Sequence, residues 1–320
     1  MHTILGAGGP VANALTKELL EAGEKVRLVS RRPVTKFPGT EWVGADLKNS
    51  EQVQKAVQGS AVIYMCAGLQ YSRKIWAVEW PLIMQNLIDA AKSTGARLIF
   101  FDNVYMYGHV HGAMKEDTPY NPSSVKGSIR AAIANQLMQE SKAGNIRASI
   151  ARAADFYGAE TLNSFYDSMV LAKFAKNEKA MWIGNPQSKH SFTYVPDAGK
   201  AMFLLGQNPG SDNQIWHLPT AKPLTGKVFI ELAASIFSVD PKFMKVNKFM
   251  LQTLGLFSKL IGETAELYYQ YEHDYIFDSS KFEAYFGMKP VSYEQGITEF
   301  ATTFFAAKSS KGTMQASFAL

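Results

Sequence analysis

Three observations predict an α/β fold built on a doubly wound parallel sheet, with a smaller C-terminal substrate-binding lobe. Through about residue 150, apolar runs near 2–5, 25–30, 41–43, 61–66, 97–102 and 146–152 alternate with helical patterns at 11–22, 50–58, 79–94 and 124–142. Parallel neighbours need crossover helices, so this alternation implies a sheet covered on both faces. The first strand runs straight into a glycine-rich turn, Gly6-Ala7-Gly8-Gly9-Pro10, and a helical pattern follows at once. Beyond residue 150 the chain is less regular and richer in aromatic residues, which marks a second architecture.

The first strand and its turn have the composition of a dinucleotide pocket. A pyrophosphate takes backbone N–H groups at a helix N-terminus, and a side chain at Gly6 or Gly9 would hold the backbone off the phosphates or block the turn. Gly8 belongs to the same turn, and Ala12 is small enough for the helix to pack on the strand. The second strand, Val26-Arg27-Leu28-Val29, ends where an NAD site places Asp or Glu on the ribose 2′-hydroxyl. Ser30-Arg31-Arg32 stand there instead. A hydroxyl and two guanidinium groups suit a 2′-phosphate, so the expected cofactor is NADP(H). The competing reading of Arg31 and Arg32 is an ordinary solvated loop.

Gly23, Gly95 and Gly144 each follow a helical stretch and precede a strand, as C-terminal caps do. Later, Phe192-Thr193-Tyr194-Val195-Pro196-Asp197 and a strand near Gln214–Leu218 are expected to rejoin the main sheet. The aromatic stretch Tyr268-Tyr269-Gln270-Tyr271 either lines a substrate pocket or packs in the lobe. The expected division is a dinucleotide-binding domain at 1–154, a region at 155–307 that is mainly lobe, and a tail at 308–320 whose small and polar residues read as disordered.

A 47% hydrophobic composition in 320 residues supports a large core. The 33 basic and 28 acidic residues leave a net charge of +5 spread without blocks, so no nucleic-acid footprint follows. No run approaches eighteen apolar residues, the chain opens inside the fold without a signal-peptide pattern, and the single cysteine, Cys66, reads as a buried strand residue. These features fit a cytoplasmic protein off the membrane. His109 and His111 lack a third ligand at recognisable spacing, so no metal site is expected.

Several segments in order resemble the extended short-chain dehydrogenase/reductase family, which includes NAD(P)-dependent epimerases and dehydratases. Gly6, Gly9 and Ala12 fit its GxxGxxG/A turn; Ala45-Asp46-Leu47 resembles the pair that meets adenine; Cys66-Ala67-Gly68 resembles the small stretch beside the cofactor. Asn86–Ala91 is similar to the family's NLLxAA helix and Val104–Gly108 to its VYG turn. Tyr194–Asp197 is similar to YVxD, and Asp278–Lys281 with Gly287–Pro290 to DxxK and GxxP. The resemblance runs from residue 3 to about 303 and implies a Rossmann fold. It also implies cofactor contacts at Asp46, Leu47, Ala67 and Gly68, and a homodimer through the helices near 79–94 and 124–142.

The catalytic positions depart from that family. Asn103 stands where its Ser or Thr polarises the substrate oxygen, and Lys126 and Arg130 replace the Tyr and Lys of YxxxK. Residues four apart share a helical face, so Lys126 and Arg130 are expected in one cleft. A neighbouring guanidinium and partial burial would favour the neutral amine and suit Lys126 to proton transfer. Asn103 would orient the oxygen, Arg130 would hold the nicotinamide ribose, and Tyr105 would present a phenol. The competing reading makes Lys126 and Arg130 an exposed pair on a solvated helix face. Arg152–Gly158 resembles the family's RxxNxYG, which implies a place on the cofactor's nicotinamide side and at the substrate rim. The expected function is an atypical NADP-dependent oxidoreductase or epimerase/dehydratase-like enzyme for a small hydroxyl or carbonyl substrate. The alternative is a non-catalytic NADP(H)-binding regulatory or sensor protein.

Overall fold

The computed structural model describes residues 1–158, 164, 166–255 and 259–316. The chain begins β1 (His2–Leu5), α1 (Pro10–Glu21), β2 (Val26–Ser30), β3 (Glu41–Gly44), α2 (Ser50–Ala56), β4 (Val62–Met65), α3 (Arg73–Thr94) and β5 (Arg97–Asp102). A short β6 (Ala113–Met114), α4 (Val125–Lys142) and β7 (Ala148–Arg152) follow. After β8 (Asp155–Tyr157) come α5 (Ala172–Phe174), β9 (Ala180–Ile183), β10 (Lys189–His190), β11 (Phe192–Tyr194), α6 (Val195–Gln207) and β12 (Ile215–His217). The remainder is β13 (Leu224–Thr225), α7 (Gly226–Phe237), β14 (Phe243–Val246), α8 (Lys248–Gly255), α9 (Lys259–Thr264), α10 (Tyr269–Glu272), β15 (Ile276–Phe277), α11 (Ser280–Phe286) and α12 (Tyr293–Ala316).

Seven strands form one sheet in the order β12-β7-β5-β4-β1-β2-β3, and each adjacent pair is parallel. Strand order reverses between β1 and β4, which opens a crevice at their carboxyl ends. β1 and β4 are buried along their whole length because helices cover both faces. On one face Trp80, Ile83, Leu87, Ile133 and Leu137 of α3 and α4 pack on Leu98, Phe100 and Ile150. On the other, Leu15 and Leu19 of α1 meet Ala198, Met202 and Leu205 of α6. A Cβ on Gly199 would come within 2.4 Å of the Ala14 Cβ, so only glycine lets those two helices approach so closely.

The sheet and caps follow the sequence pattern, with Gly23, Gly95 and Gly144 all at positive φ. Three expectations are corrected. α3 starts at Arg73, not near 79, because exposed Pro81 is accommodated inside the helix and no longer marks its beginning. β12 joins the main sheet as expected, but β11 pairs with β8 in a separate two-stranded sheet. The final helix carries on to Ala316 through most of the tail; residues 317–320 lie outside the described residues. Cys66 sits just past the end of β4, half-buried, and burial pushes its thiol up to about 12. No helix among the described residues is long and apolar enough to cross a membrane.

The lobe packs around its own aromatic core, in which Tyr157, Tyr166, Trp182, Phe192, Phe229 and Tyr293 are buried together. Asp197, in the first turn of α6, fastens the sheet domain to this region by accepting a 2.7 Å hydrogen bond from the Val291 N–H. Burial pushes its carboxyl up from 3.8 to about 6, outweighing that hydrogen bond and nearby Lys200. The folded state therefore binds the proton more tightly than the unfolded chain, and this group's contribution to stability falls as pH rises from about 4 to 6. Asp197→Asn keeps an acceptor for Val291 and removes the charge. It should raise stability at pH 8 by about 1–2 kcal/mol and give no gain at pH 4, measured by denaturant unfolding at both pH values.

Candidate active site

At the crevice, the β1–α1 turn is shaped by a backbone contact. Gly6 has φ +87°, and a Cβ there would lie 2.3 Å from the Cα of Ala67, so the turn lies directly against the segment after β4. Gly8 also has positive φ. Gly9 differs: it is extended at φ −74° and caps α1, Pro10 holds the first helical position, and a Cβ on Gly9 would meet nothing closer than 3.7 Å. Glycine at 9 is therefore not required by the fold, and past Pro10 the N–H groups of Val11 and Ala12 open the helix without an intrahelical partner. Gly68 is exposed, with open space over its Cα.

Beside this turn, Ser30 closes β2 by donating to the Arg32 carbonyl and accepting from the Trp42 indole. Arg31 and Arg32 are exposed, and neither guanidinium is ion-paired among the described residues. Asp46 accepts from the Lys48 N–H and lies 3.8 Å from the Lys48 ammonium. The carbonyl of Leu47 takes a hydrogen bond from buried Asn86, which fixes this loop to α3.

At the end of β5 lies a buried charge network. Asp102 Oδ1 accepts from Arg130 Nε at 2.7 Å and also from its Nη2, while Oδ2 lies 3.5 Å from Arg152 Nε. Arg130 is covered by the rings of Trp80 and Phe100, and Arg152 by those of Tyr107 and Tyr120. Arg152 donates to the hydroxyl of Tyr107, which also meets His217 Nε2 at 2.8 Å. Burial, with Arg152 nearby, pushes His217 down to about 3, so its ring is neutral and its Nδ1 donates to the Asp278 carbonyl.

Lys126 and Arg130 are both buried, which rules out an exposed pair on a solvated helix face. Their surroundings also differ from the shared cleft expected from their spacing, since Arg130 turns to Asp102. The three protons of the Lys126 ammonium are fully engaged, by Glu263 Oε2 and Glu266 Oε1 at 2.6 Å each and by the Glu263 carbonyl at 3.0 Å. Burial pushes the Glu263 carboxyl up, but hydrogen bonds from Lys126 and the Arg73 N–H outweigh it and hold the group below the usual carboxylate range. Two carboxylates thus stand around Lys126 where a cation had been expected. Nothing local in the sequence signals them, because they lie 137 and 140 residues away along the chain.

Asn103 and Tyr105 follow the end of β5 and are half-buried. Asn103 Oδ1 accepts from the Tyr105 N–H, which leaves its amide N–H groups as donors. Gly127 lets α4 press on the turn that carries Tyr105, since a Cβ there would come 2.5 Å from the Tyr105 carbonyl oxygen. Tyr71 donates to the Tyr105 hydroxyl at 3.5 Å, and the Lys126 ammonium lies 4.3 Å from the centre of the Tyr71 ring. Burial, then the charge of Asp155, raises the Tyr105 phenol well above its ordinary value and keeps it protonated. Asp155, which belongs to the segment that resembles RxxNxYG, lies 3.0 Å from His190, and His190 was not singled out from the sequence. Next to Glu266, a cavity of about 660 Å³ is lined by Ser123, Lys245, Lys248, Phe249, Tyr268 and Tyr269. Tyr268 and Tyr269 thus line this cavity, Gln270 lines a smaller one beside it with Tyr269 and Tyr275, and Tyr271 is buried. His273 stacks on His109, which also neighbours His111, but no group among the described residues is arranged to hold a metal ion.

A model of the NAD dependent epimerase/dehydratase family matches residues 2–218. The 3beta-hydroxysteroid-dehydrogenase/decarboxylase isoform 1 of Arabidopsis thaliana is 27% identical over 168 residues, which are 48% of this chain and 37% of that protein. The chain thus spans well under half the length of this curated relative. Among solved structures, the UDP-glucose 4-epimerase of Thermus thermophilus in complex with NAD has a TM-score of 0.78 at 16% identity, covering 96% of this chain and all of the other (100%). The dTDP-glucose 4,6-dehydratase of Bacillus anthracis str. Ames in complex with NAD has a TM-score of 0.79 at 15% identity, covering 96% and 97%. MoeE5 in complex with UDP-glucose and NAD has a TM-score of 0.78 at 18% identity, covering 96% and 99%. These likenesses show the shared fold.

The two glycines of the turn should respond differently to a methyl group. Gly6→Ala forces both a positive φ and a backbone collision, and should lower stability by about 2–4 kcal/mol. Gly9→Ala should change it by less than about 0.5 kcal/mol. Urea unfolding of the two variants side by side measures the contrast.

Proposed function

The chain belongs to the NAD dependent epimerase/dehydratase family, and from that premise we propose that it is an NADP(H)-dependent oxidoreductase or epimerase/dehydratase-like enzyme acting on a small hydroxyl or carbonyl compound. The observation that carries this reading is the convergence, at one sheet edge, of a glycine turn on a helix N-terminus with the donors of Asn103 and Tyr105. The turn at Gly6, Gly8 and Gly9, with the N–H groups of Val11 and Ala12 behind it, would hold the pyrophosphate, Arg31 and Arg32 the 2′-phosphate with the Ser30 loop, and Asp46 and Leu47 the adenine. Ala67 and Gly68 leave room beside them. When bound, the nicotinamide supplies or accepts a hydride.

Asn103 would orient the substrate oxygen through its amide N–H groups. Tyr105 would give that oxygen a proton: its own oxygen accepts from Tyr71, which leaves its O–H free to donate outward. Lys126 supports this pair from behind. With every proton committed to Glu263 and Glu266, it ties the α9 region over α4 and places a positive charge beside Tyr71. Arg130 positions Asn103 through Asp102, whose Oδ1 accepts the Asn103 N–H. We further propose a cytoplasmic homodimer, since Val78 and Leu82 lie exposed one turn apart on α3.

Cofactor choice is tested by fluorescence titration. NADPH should bind at least tenfold more tightly than NADH, about 1.4 kcal/mol, and Arg31→Ala with Arg32→Ala should erase the preference. Equal affinities in the wild type would remove the 2′-phosphate reading.

Tyr105→Phe should lower turnover by about two to four orders of magnitude with NADPH affinity unchanged. Lys126→Met should mainly lower stability, by about 3 kcal/mol, because it takes the buried ammonium from two carboxylates. Turnover on a panel of alcohols and ketones, with melting curves of both variants, separates the roles. Cofactor binding without hydride transfer across that panel would favour the regulatory reading, to which the ion-paired Lys126 and Arg130 lend support.

A further inference from the structure

Between Asp240 and Glu263 the sequence holds no acidic residue, but it holds Lys242, Lys245, Lys248 and Lys259 among apolar residues that include Phe243, Met244, Phe249 and Phe257. The whole chain carries only +5, so this stretch concentrates a basic and apolar character that the rest of the sequence dilutes, and overall composition points away from a membrane. The stretch builds the corner where β14 turns into α8. Val246 and Leu251 fix that corner to the aromatic core of the lobe, and Asn247 Oδ1 caps α8 by accepting the Met250 N–H at 2.9 Å. Phe249 lies in the first turn of this anchored helix, yet it is 75% exposed and its ring meets no other ring among the described residues.

Lys245, Lys248 and Phe249 stand together in the wall of the cavity of about 660 Å³, next to half-buried Tyr268. Both lysines are exposed, and neither ammonium is ion-paired among the described residues. The acids of the same cavity are already engaged: Glu266 by the Lys126 ammonium and the Val125 N–H, Glu272 by the Tyr268 hydroxyl. His273 is stacked on His109. The charge left to meet a partner is therefore positive, and it flanks an aromatic ring left in water. The phosphates of a nucleic-acid duplex would answer the lysines and leave Phe249 in water, whereas a purely apolar partner would leave the ammonium groups unanswered. A bilayer with anionic headgroups answers both, because its surface draws lysines while the boundary beneath takes an aromatic ring.

We propose that the β14–α8 corner is a peripheral docking surface for an anionic lipid bilayer: Lys245 and Lys248 meet the headgroups, and Phe249 enters the boundary beneath them. No helix among the described residues is long and apolar enough to cross a membrane, so the contact is one of surface with surface. Docking in this pose sets the mouth of the cavity against the lipid. The inference does not depend on the cofactor reading, since none of these residues belongs to the glycine turn or to the end of β5.

The test is co-sedimentation of the full chain with sucrose-loaded vesicles, made of phosphatidylcholine alone or of phosphatidylcholine with about 30% phosphatidylserine. The wild type should bind the mixed vesicles at least about tenfold more tightly than the neutral ones, and about 0.5 M salt should remove the difference. Phe249→Ser should weaken binding to the mixed vesicles about fivefold or more, and Lys245→Gln with Lys248→Gln about tenfold or more. Val78→Ser, which removes another strongly exposed apolar side chain, this one on α3, should leave binding unchanged. All four positions are exposed, so the variants should melt with the wild type. The proposal is overturned if the wild type binds neither kind of vesicle or binds both equally, if binding to the mixed vesicles survives the Phe249 and lysine variants, or if Val78→Ser costs as much as Phe249→Ser. Light scattering on the same proteins detects the other occupant of such a face. A dimer that Phe249→Ser dissociates, with no vesicle binding by the wild type, assigns the corner to a second copy of the chain and overturns the lipid reading.

Discussion

One buried carboxylate, Asp102, organises the carboxyl edge of the central sheet. It ends β5, receives Arg130 from α4 and lies against Arg152 from β7, and so ties three elements together where no water can replace any of them. Two guanidinium groups facing one carboxylate leave an excess of positive charge, which the faces of Trp80, Phe100, Tyr107 and Tyr120 help to balance. The same carboxylate accepts the Asn103 N–H, and its backbone carbonyl accepts the Ala153 N–H. The ends of β5 and β7 therefore have little freedom to shift relative to each other. Through Tyr107 and neutral His217 the network reaches the Asp278 carbonyl, which couples the site to the segment before α11.

The lobe meets this edge through separate contacts with different chemistry. Glu263 and Glu266 arrive above Lys126, and Glu266 also caps the start of α4 by accepting the Val125 N–H. Asp155 and His190 arrive from the strand side. The cleft is thus framed by carboxylates from the lobe and by phenols from both halves. Its polar character is set as much by residues after position 150 as by the glycine turn.

Much of the sheet was readable in the sequence because strand burial, crossover helices and glycine caps are local signals. β1 through β5, β7 and β12 follow the apolar runs closely. The start of α3 was not readable, since Pro81 looks like a helix boundary and the structure absorbs it on an exposed face. β11 was misplaced for another reason: an apolar triplet says that a strand is buried, not which sheet it joins. At the site, the spacing of Lys126 and Arg130 correctly put both on α4 but carried no information about partners. Those come from Asp102, 28 residues from Arg130, and from two glutamates more than a hundred residues from Lys126. Position along a helix is encoded locally, whereas the charge that answers it is a property of the finished fold.

The three-way engagement of the Lys126 ammonium has a consequence for how such a site changes over time. A tyrosine placed at 126 would not simply restore a phenol at that position. It would arrive among three acceptors with a single proton to offer, while two acids lost their counter-charge. A lysine at 130 would likewise present a point charge to Asp102 where the present side chain offers a fork. Either change made alone removes contacts that the others rely on, so the residues of this cleft depend on one another as a set, with or without a ligand.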